Sequence, residues 1–381
     1  MSILDRVAEL RAQGRDVISL CAGEPSGGAP RDVRRLAVEA HGSGGALGYT
    51  SALGLRPLRA AIAGHYRTWY GLEVPPERVA VTTGSSGAFV LAFLAAFDPG
   101  DVVVLARPGY PAYRNILTAL GCRVVEVDCG AEVGFQPTPA LLDAVRAEHG
   151  RVAGLVVASP ANPTGTMIDR DRMTSLVSWC VAHDVRLVSD EIYHGVTYPP
   201  DHSGPDARGV CAWDVPGAAE TAVVVSSFSK YWGMTGWRLG WALLPEDLTT
   251  AVDALAGNVA LCPPAPAQHA ALGAFSAASY AEADERVADL RSTRRVLLER
   301  VPELGWGPVA PADGAFYLYA GLPPGTSSLQ WCADLLESEG VALVPGVDFD
   351  GAHGQEYVRL SFAAGAQAVE EAVERILRFQ G

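Results

Sequence analysis

The sequence predicts an α/β fold: a large domain built on a mostly parallel, mixed sheet covered by helices, with a smaller α+β domain. Three observations predict it. Between residues 101 and 189, short apolar β-rich runs alternate with helical patterns. Those runs are apolar almost throughout, as expected of parallel strands buried on both faces. Beyond residue 267 the pattern changes to long helix followed by short strands with helices between and after them, the mark of a separate α+β unit.

Taken in order, Asp101 to Ala106 (DVVVLA) is predicted as a buried strand. Tyr113 to Leu120 follows as a helix closed by Gly121, because glycine tolerates the backbone that ends a helix. Val124 to Val127 is the next strand, and Pro139 to Glu148 a helix stopping at Gly150. Leu155 to Ala158 reads as strand, Asp171 to His183 as helix, and Val185 to Ser189 as strand. Residues 267 to 303 read as one helical stretch. Strands are expected at Phe316 to Tyr319, Val341 to Val344 and Val358 to Ser361, with helices at 328–338 and 367–379. The expected division is a large domain over 45–260, and a small domain made of 1–44 together with 261–381.

Composition narrows the function. Of 381 residues, 49% are hydrophobic and 19% charged, which is ordinary for a folded enzyme and excludes disorder. The formal net charge of -14 argues against nucleic acid and anionic membrane surfaces, both of which repel an acidic protein. The seven cysteines are scattered without CxxC spacing, so no zinc or redox dithiol is indicated, and reduced thiols in the cytoplasm are expected. No run approaches the ~18 apolar residues of a membrane span, and the first residues lack the apolar core of a signal peptide. His183, His194 and His202 form no metal set; His194 is expected behind the site or in solvent. Pro199 to Gly209 reads as a surface loop, and Asp284, Glu285 and Arg286 as a solvated helix face.

Four segments carry chemistry. Lys230 follows the apolar strand TAVVVSSFS, at a strand's carboxyl end, where open α/β sheets bind ligands. Half-buried, its ammonium is disfavoured and the free amine can attack a carbonyl. Arg238, eight residues on, has the fork to hold a phosphate. In Ser159-Pro160-Ala161-Asn162-Pro163, two prolines fix a rigid turn that presents the Asn162 amide. Asp190 in SDEIY leaves an apolar strand, and a buried carboxylate requires a partner. In Thr83-Gly84-Ser85-Ser86-Gly87, small residues open a helix whose first N–H groups are free for a phosphate, although serine capping leaves the same pattern.

In order, TGSSGA, RPGYPAY, SPANPTG, SDEIY, SFSK, TGWRLG and YVRLSF resemble the fold-type I, pyridoxal-phosphate-dependent aminotransferases of class I/II. The resemblance runs from Gly23-Glu24-Pro25 to the C-terminal helix. It implies that Lys230 carries pyridoxal 5′-phosphate as a Schiff base and shuttles the substrate's α-proton. Asp190 is then the partner of the cofactor's ring nitrogen, and Asn162 and Tyr193 those of its phenolic oxygen. Tyr110 stacks on the ring. Ser85, Ser86, Ser227 and Arg238 match phosphate-binding positions, and Arg359 the position that grips the substrate carboxylate. Tyr49 matches a tyrosine that reaches the neighbouring subunit's phosphate, which implies a homodimer with shared sites.

The activity so implied is a ping-pong transfer of an amino group from an L-amino acid to a 2-oxo acid. A carbon–sulfur β-elimination lyase or another biosynthetic enzyme of the same fold is the alternative. A non-catalytic regulator would carry an added DNA-binding region or lack the lysine; this chain does neither. Ala22, Gly23, Tyr110 and Phe316 are expected to wall the side-chain pocket, and no second arginine awaits a dicarboxylate. An aromatic or medium-sized apolar amino acid is the expected donor, with glutamate or alanine as co-substrate; a specialised biosynthetic substrate is equally compatible.

Overall fold

The computed structural model describes residues 3–45, 47–199, 204 and 206–381. Its strands are β1 (Ile18–Ser19), β2 (Val79–Thr82), β3 (Val102–Arg107), β4 (Arg123–Asp128), β5 (Gly154–Ala158), β6 (Arg186–Asp190), β7 (Ala222–Ser227), β8 (Gly240–Leu243), β9 (Tyr317–Gly321), β10 (Val341–Ala342), β11 (Val344–Pro345) and β12 (Tyr357–Ser361). Seven of them form one sheet in the order β2-β8-β7-β6-β5-β3-β4. Every pair in it is parallel except those of β8, which runs antiparallel to both neighbours. The sheet is thus mixed and mostly parallel, as predicted.

Burial on both faces explains the apolar runs. Along β3, Val102 and Val104 pack into one core while Val103 and Leu105 pack into another on the opposite face. Leu155 and Val157 against Val156, and Val224 against Val223 and Val225, repeat the alternation. Successive side chains leave a strand on opposite sides, so a strand with no solvent face has no polar alternate. Each such side chain contributes roughly 1.5–3 kcal/mol on burial. Helix Gly84–Ala96 buries Phe89 and Phe93 in the second core. Helix Arg170–His183 packs Met173, Leu176 and Val177 into the first, and its start is capped by Asp169, whose carboxylate accepts from Arg172 N at 2.8 Å.

β11, β12 and β9 form a separate antiparallel sheet, and β1 pairs in parallel with β10. This pairing ties the N-terminal segment to the C-terminal part of the chain. Val341 to Val344 is therefore not one strand: Val341 and Ala342 face β1, while Val344 pairs with Arg359 of β12.

The stretch 267–303 is not one helix either. It divides into helix Ala265–Ala271, a 3-10 turn Leu272–Phe275, and helix Ala277–Arg300. At Gly273 a Cβ would lie 2.7 Å from the backbone carbon of Asp32, so only glycine lets the two segments cross. Ser276 then caps the new helix by accepting from Ser279 N at 3.1 Å. His202 and part of the 199–209 loop lie outside the described residues. Asp284 is more than a solvated surface charge, because it pairs with Arg208 and accepts from the Tyr231 hydroxyl at 2.7 Å.

Candidate active site

The carboxyl ends of β5, β6 and β7 open into a cavity of about 540 Å³. Each strand end delivers one polar group there, because a parallel sheet flanked by crossovers brings its carboxyl ends to one edge. β7 leads to Lys230, β6 ends at Asp190, and the turn after β5 presents Asn162. Ser85, Ser86, Tyr110, Tyr193 and Gly23 also line the cavity, as do Arg238 and Arg359.

Lys230 Nζ donates to the carbonyl oxygen of Gly23 at 2.6 Å and faces the rings of Tyr193 and Phe316, 5.6 and 6.0 Å from their centres. Burial lowers its pKa to about 8, opposed by the charges of Glu24 and Asp190. The fold thereby keeps part of the amine unprotonated near neutral pH and able to act as a nucleophile.

Asp190 is 3% exposed. Its Oδ2 accepts from the Tyr113 hydroxyl and its Oδ1 from Ile192 N at 3.1 Å. Burial pushes the carboxyl up to about 6, while the Tyr113 and Ile192 bonds and Lys230 pull the other way. Behind it, Glu191 is buried among Ser189, Ala212 and His194. His194 is buried rather than exposed: its Nδ1 meets the Tyr70 hydroxyl at 2.7 Å, and burial holds the imidazole neutral.

Arg359, from β12, stretches across the cavity. Nη1 donates to Asn162 Oδ1 at 3.0 Å and Nη2 to Cys21 O at 2.8 Å, while the buried Nε has no partner. The guanidinium lies between the rings of Tyr317 and Phe349, 4.4 and 4.8 Å from their centres. A cation so clamped, with one donor unspent, is set to take an anionic oxygen.

At the opposite side, Thr83 precedes helix Gly84–Ala96 without a side-chain cap, leaving its first N–H groups without that satisfaction. Arg238 leans over this terminus. Gly84 has φ +66°, which favours glycine, and a Cβ there would stand 2.7 Å from Arg238 Nη2. An uncapped helix start, two serines and an arginine form an anion cradle.

Three expected residues sit elsewhere. Ser227 is buried, does not line the cavity, and its Oγ accepts from Ser229 N at 3.1 Å; Ser229 lines the wall instead. Phe316 is fully buried, and its neighbour Tyr317 takes the wall, its hydroxyl 2.8 Å from that of Tyr193. The alternation of a strand makes this a one-residue slip. Tyr49 is 84% exposed, away from the chain's own cavity. Tyr113 and Glu24 were not anticipated, although Tyr110 and Tyr113 are spaced to share a helix face.

The residues present fit pyridoxal 5′-phosphate: a buried amine whose pKa is lowered toward neutrality, a buried carboxylate for a cationic ring nitrogen, an aromatic wall at Tyr110, and an anion cradle. A second cavity of about 870 Å³ adjoins the first through Tyr110 and Arg359. Its walls include Leu329, Leu336, Val344, Val347 and Phe349. Two of its three arginines are occupied, Arg6 by Glu337 at 2.9 Å and Arg114 by Glu126 at 3.2 Å, and the third is Arg359, shared with the first cavity. Among the described residues, no helix is long and apolar enough to cross a membrane, and all seven cysteines are unpaired.

Comparison with known proteins agrees with this geometry. The family model described as aminotransferase class I and II matches residues 15–376. A valine–pyruvate aminotransferase of Mycobacterium tuberculosis is 49% identical over 99% of this chain and 94% of its own. An aspartate/prephenate aminotransferase of Thermus thermophilus is 36% identical, again over 99% of this chain and 94% of its own. A crystal structure of an aminotransferase from Mycobacterium tuberculosis superposes with a TM-score of 0.94 at 48% identity, covering 99% of this chain and 95% of that one. Aspartate aminotransferase from Thermus thermophilus with maleate gives a TM-score of 0.88 at 34% identity, with the same coverage of each chain.

Proposed function

The chain belongs to the class I and II aminotransferase family, whose enzymes use pyridoxal 5′-phosphate to move amino groups between amino acids and 2-oxo acids, and on that premise we propose that its donor is an apolar L-amino acid, aliphatic before aromatic. The single observation that carries this is the second cavity, apolar along most of its walls, with Arg6 and Arg114 already paired and its third arginine, Arg359, given to the α-carboxylate. A side-chain carboxylate entering there would lose its water without gaining a free cation. The valine–pyruvate relative supports an aliphatic donor and pyruvate as acceptor.

Bound cofactor supplies an electron-withdrawing ring that makes the substrate's α-hydrogen acidic. The work of the protein's own residues is as follows. Lys230 Nζ would take the proton from the substrate's α-carbon and deliver it to the cofactor carbon bonded to the amino nitrogen, with the reverse transfer in the second half-reaction. With the cofactor bound, Asp190 would hold the ring nitrogen, Tyr110 would cover the ring face, and Asn162 and Tyr193 would hold the phenolic oxygen. Ser85, Ser86 and Arg238 hold the phosphate, with Ser227 supporting that loop through Ser229. Arg359 holds the α-carboxylate, and Gly23 and Tyr317 border the substrate. An extended surface position supports Tyr49 of the partner subunit as a further phosphate contact in a homodimer; sedimentation at the 40.0 kDa monomer mass would reject the dimer. Unpaired cysteines support a cytoplasmic location, which cell fractionation checks. The confinement of the large sheet to 79–243, with β1 joined to β10, supports two domains over 45–260 and 1–44 with 261–381.

The test is kcat/KM for L-valine, L-phenylalanine and L-aspartate, each with pyruvate. Valine is expected to exceed aspartate by about 100-fold or more, since an unpaired charge in an apolar pocket is rejected at least that strongly. Aspartate preference would overturn the apolar-pocket reading while leaving the family assignment untouched.

A further inference from the structure

Tyr113 stands beside Asp190 in the wall of the first cavity. It lies near the start of helix Pro111–Ala119, is 6% exposed, and donates its hydroxyl to Asp190 Oδ2. Its ring is fixed from two sides by edge-to-face contacts: Phe89 at 5.0 Å between ring centres, and Tyr110 at 5.4 Å. The hydroxyl is therefore held in place rather than free to swing. Asp190 has one donor on each oxygen, Tyr113 on Oδ2 and Ile192 N on Oδ1. The other groups that bear on it electrostatically are Lys230, the buried carboxyl of Glu191, Tyr110 and Tyr193.

Resting on the reading of Asp190 as partner of the ring nitrogen, we propose that Tyr113 is a positioning residue that keeps Asp190 ionised and aimed, so that the proton they share stays on the cofactor's nitrogen. The physical argument is direct. A buried carboxylate tends to take up a proton, and a hydrogen bond donated to its charged form opposes this. Without the phenol, the proton between carboxylate and ring nitrogen moves toward the carboxylate, and the ring loses electron-withdrawing power. Burial holds the Tyr113 phenol itself protonated, so it is a donor throughout the working pH range. The stretch Tyr110–Tyr113 thus governs both the ring's face and its protonation.

The experiment binds ring-15N-labelled pyridoxal phosphate to the wild-type, Tyr113→Phe, Tyr113→His and Asp190→Asn proteins. The nitrogen's NMR shift and the cofactor dissociation constant are read at neutral pH. Tyr113→Phe is expected to move the nitrogen signal toward the neutral form and to weaken cofactor binding about tenfold, the equivalent of one pKa unit. Tyr113→His, which retains a ring N–H donor, should recover the protonated signal. If Tyr113→Phe keeps the wild-type signal and affinity while Asp190→Asn loses both, Tyr113 only packs and the inference falls. An unchanged signal in Asp190→Asn instead overturns the reading of Asp190 itself. Should Tyr113→Phe fail to fold or to take up cofactor, Tyr113→His decides: recovery supports the donor role, and loss of the protonated signal in a folded protein rejects it.

Discussion

Lys230→Ala is expected to lower the half-reaction rate by at least about 10⁴-fold, the upper range for removing a positioned acid–base group, while leaving the fold intact. The substitution removes both the amine that attaches the cofactor and the atom that moves the α-proton. Asp190 and Asn162 belong to other segments, Arg238 lies eight residues on, and all three retain their supports. Stability supplies an independent check. The folded protein lowers the Lys230 pKa to about 8 from its ordinary 10.5, so between those values the unfolded chain binds more protons than the folded one. By linkage, the wild-type apoprotein gains stability as pH rises through that window, whereas at neutral pH the buried ammonium is a burden. The alanine apoprotein should therefore unfold at neutral pH no more easily than wild type, and lose that advantage toward alkaline pH. Single-turnover absorbance and thermal unfolding measure the two effects. Transamination by the variant at a rate near wild type would sink the assignment of Lys230.

Asp190→Asn ranks second. Asparagine keeps the size of the side chain, but its single oxygen can replace only one of the two that accept from Tyr113 and Ile192, so the change removes the charge together with one of these bonds. Removing one partner of a buried charge pair costs about 3–5 kcal/mol, and each 1.4 kcal/mol is tenfold. A fall in kcat/KM of roughly 10²- to 10⁴-fold is expected, accompanied by weaker cofactor retention on dialysis. A loss of less than tenfold with full retention would mean that the carboxylate faces no cationic nitrogen.

Much of the site was legible because its residues sit where local patterns end. A strand buried on both faces announces itself by its apolar run, and its last residue is thereby marked. Asp190, Lys230 and Asn162 follow such runs, and all three line one cavity. Phe316 and Ser227 were misplaced for a reason of the same kind. Phe316 and Tyr317 stand at the entry to β9, which is buried along its whole length, so no polar alternate says which of the two faces the cavity; Ser227 ends β7 and Ser229 lies in the turn beyond it, where strand periodicity gives no guide. Tyr317 instead of Phe316, and Ser229 instead of Ser227, are the result. The expected helix over 267–303 failed because the Ala-rich sequence carries no sign of the backbone of Asp32 pressing on Gly273.

Local chemistry was enough for the order of elements, the mixed parallel sheet, the strand ends that bear the reactive groups, and the acidic balance that disfavours nucleic acid. These depend on side-chain periodicity and composition, which a linear chain displays in full. Contacts between distant segments required the folded chain. Tyr113 reaches Asp190 across 77 positions, and Arg359 reaches Asn162 across 197 and Cys21 across 338. The pairing of Arg6 and Arg114 with glutamates, which leaves Arg359 as the arginine of the second cavity with a donor to spare, is likewise set by packing. Hydrogen bonds and ion pairs act over a few ångströms in space, whatever the separation along the chain, so which donors remain free for a ligand was decided only by tertiary structure.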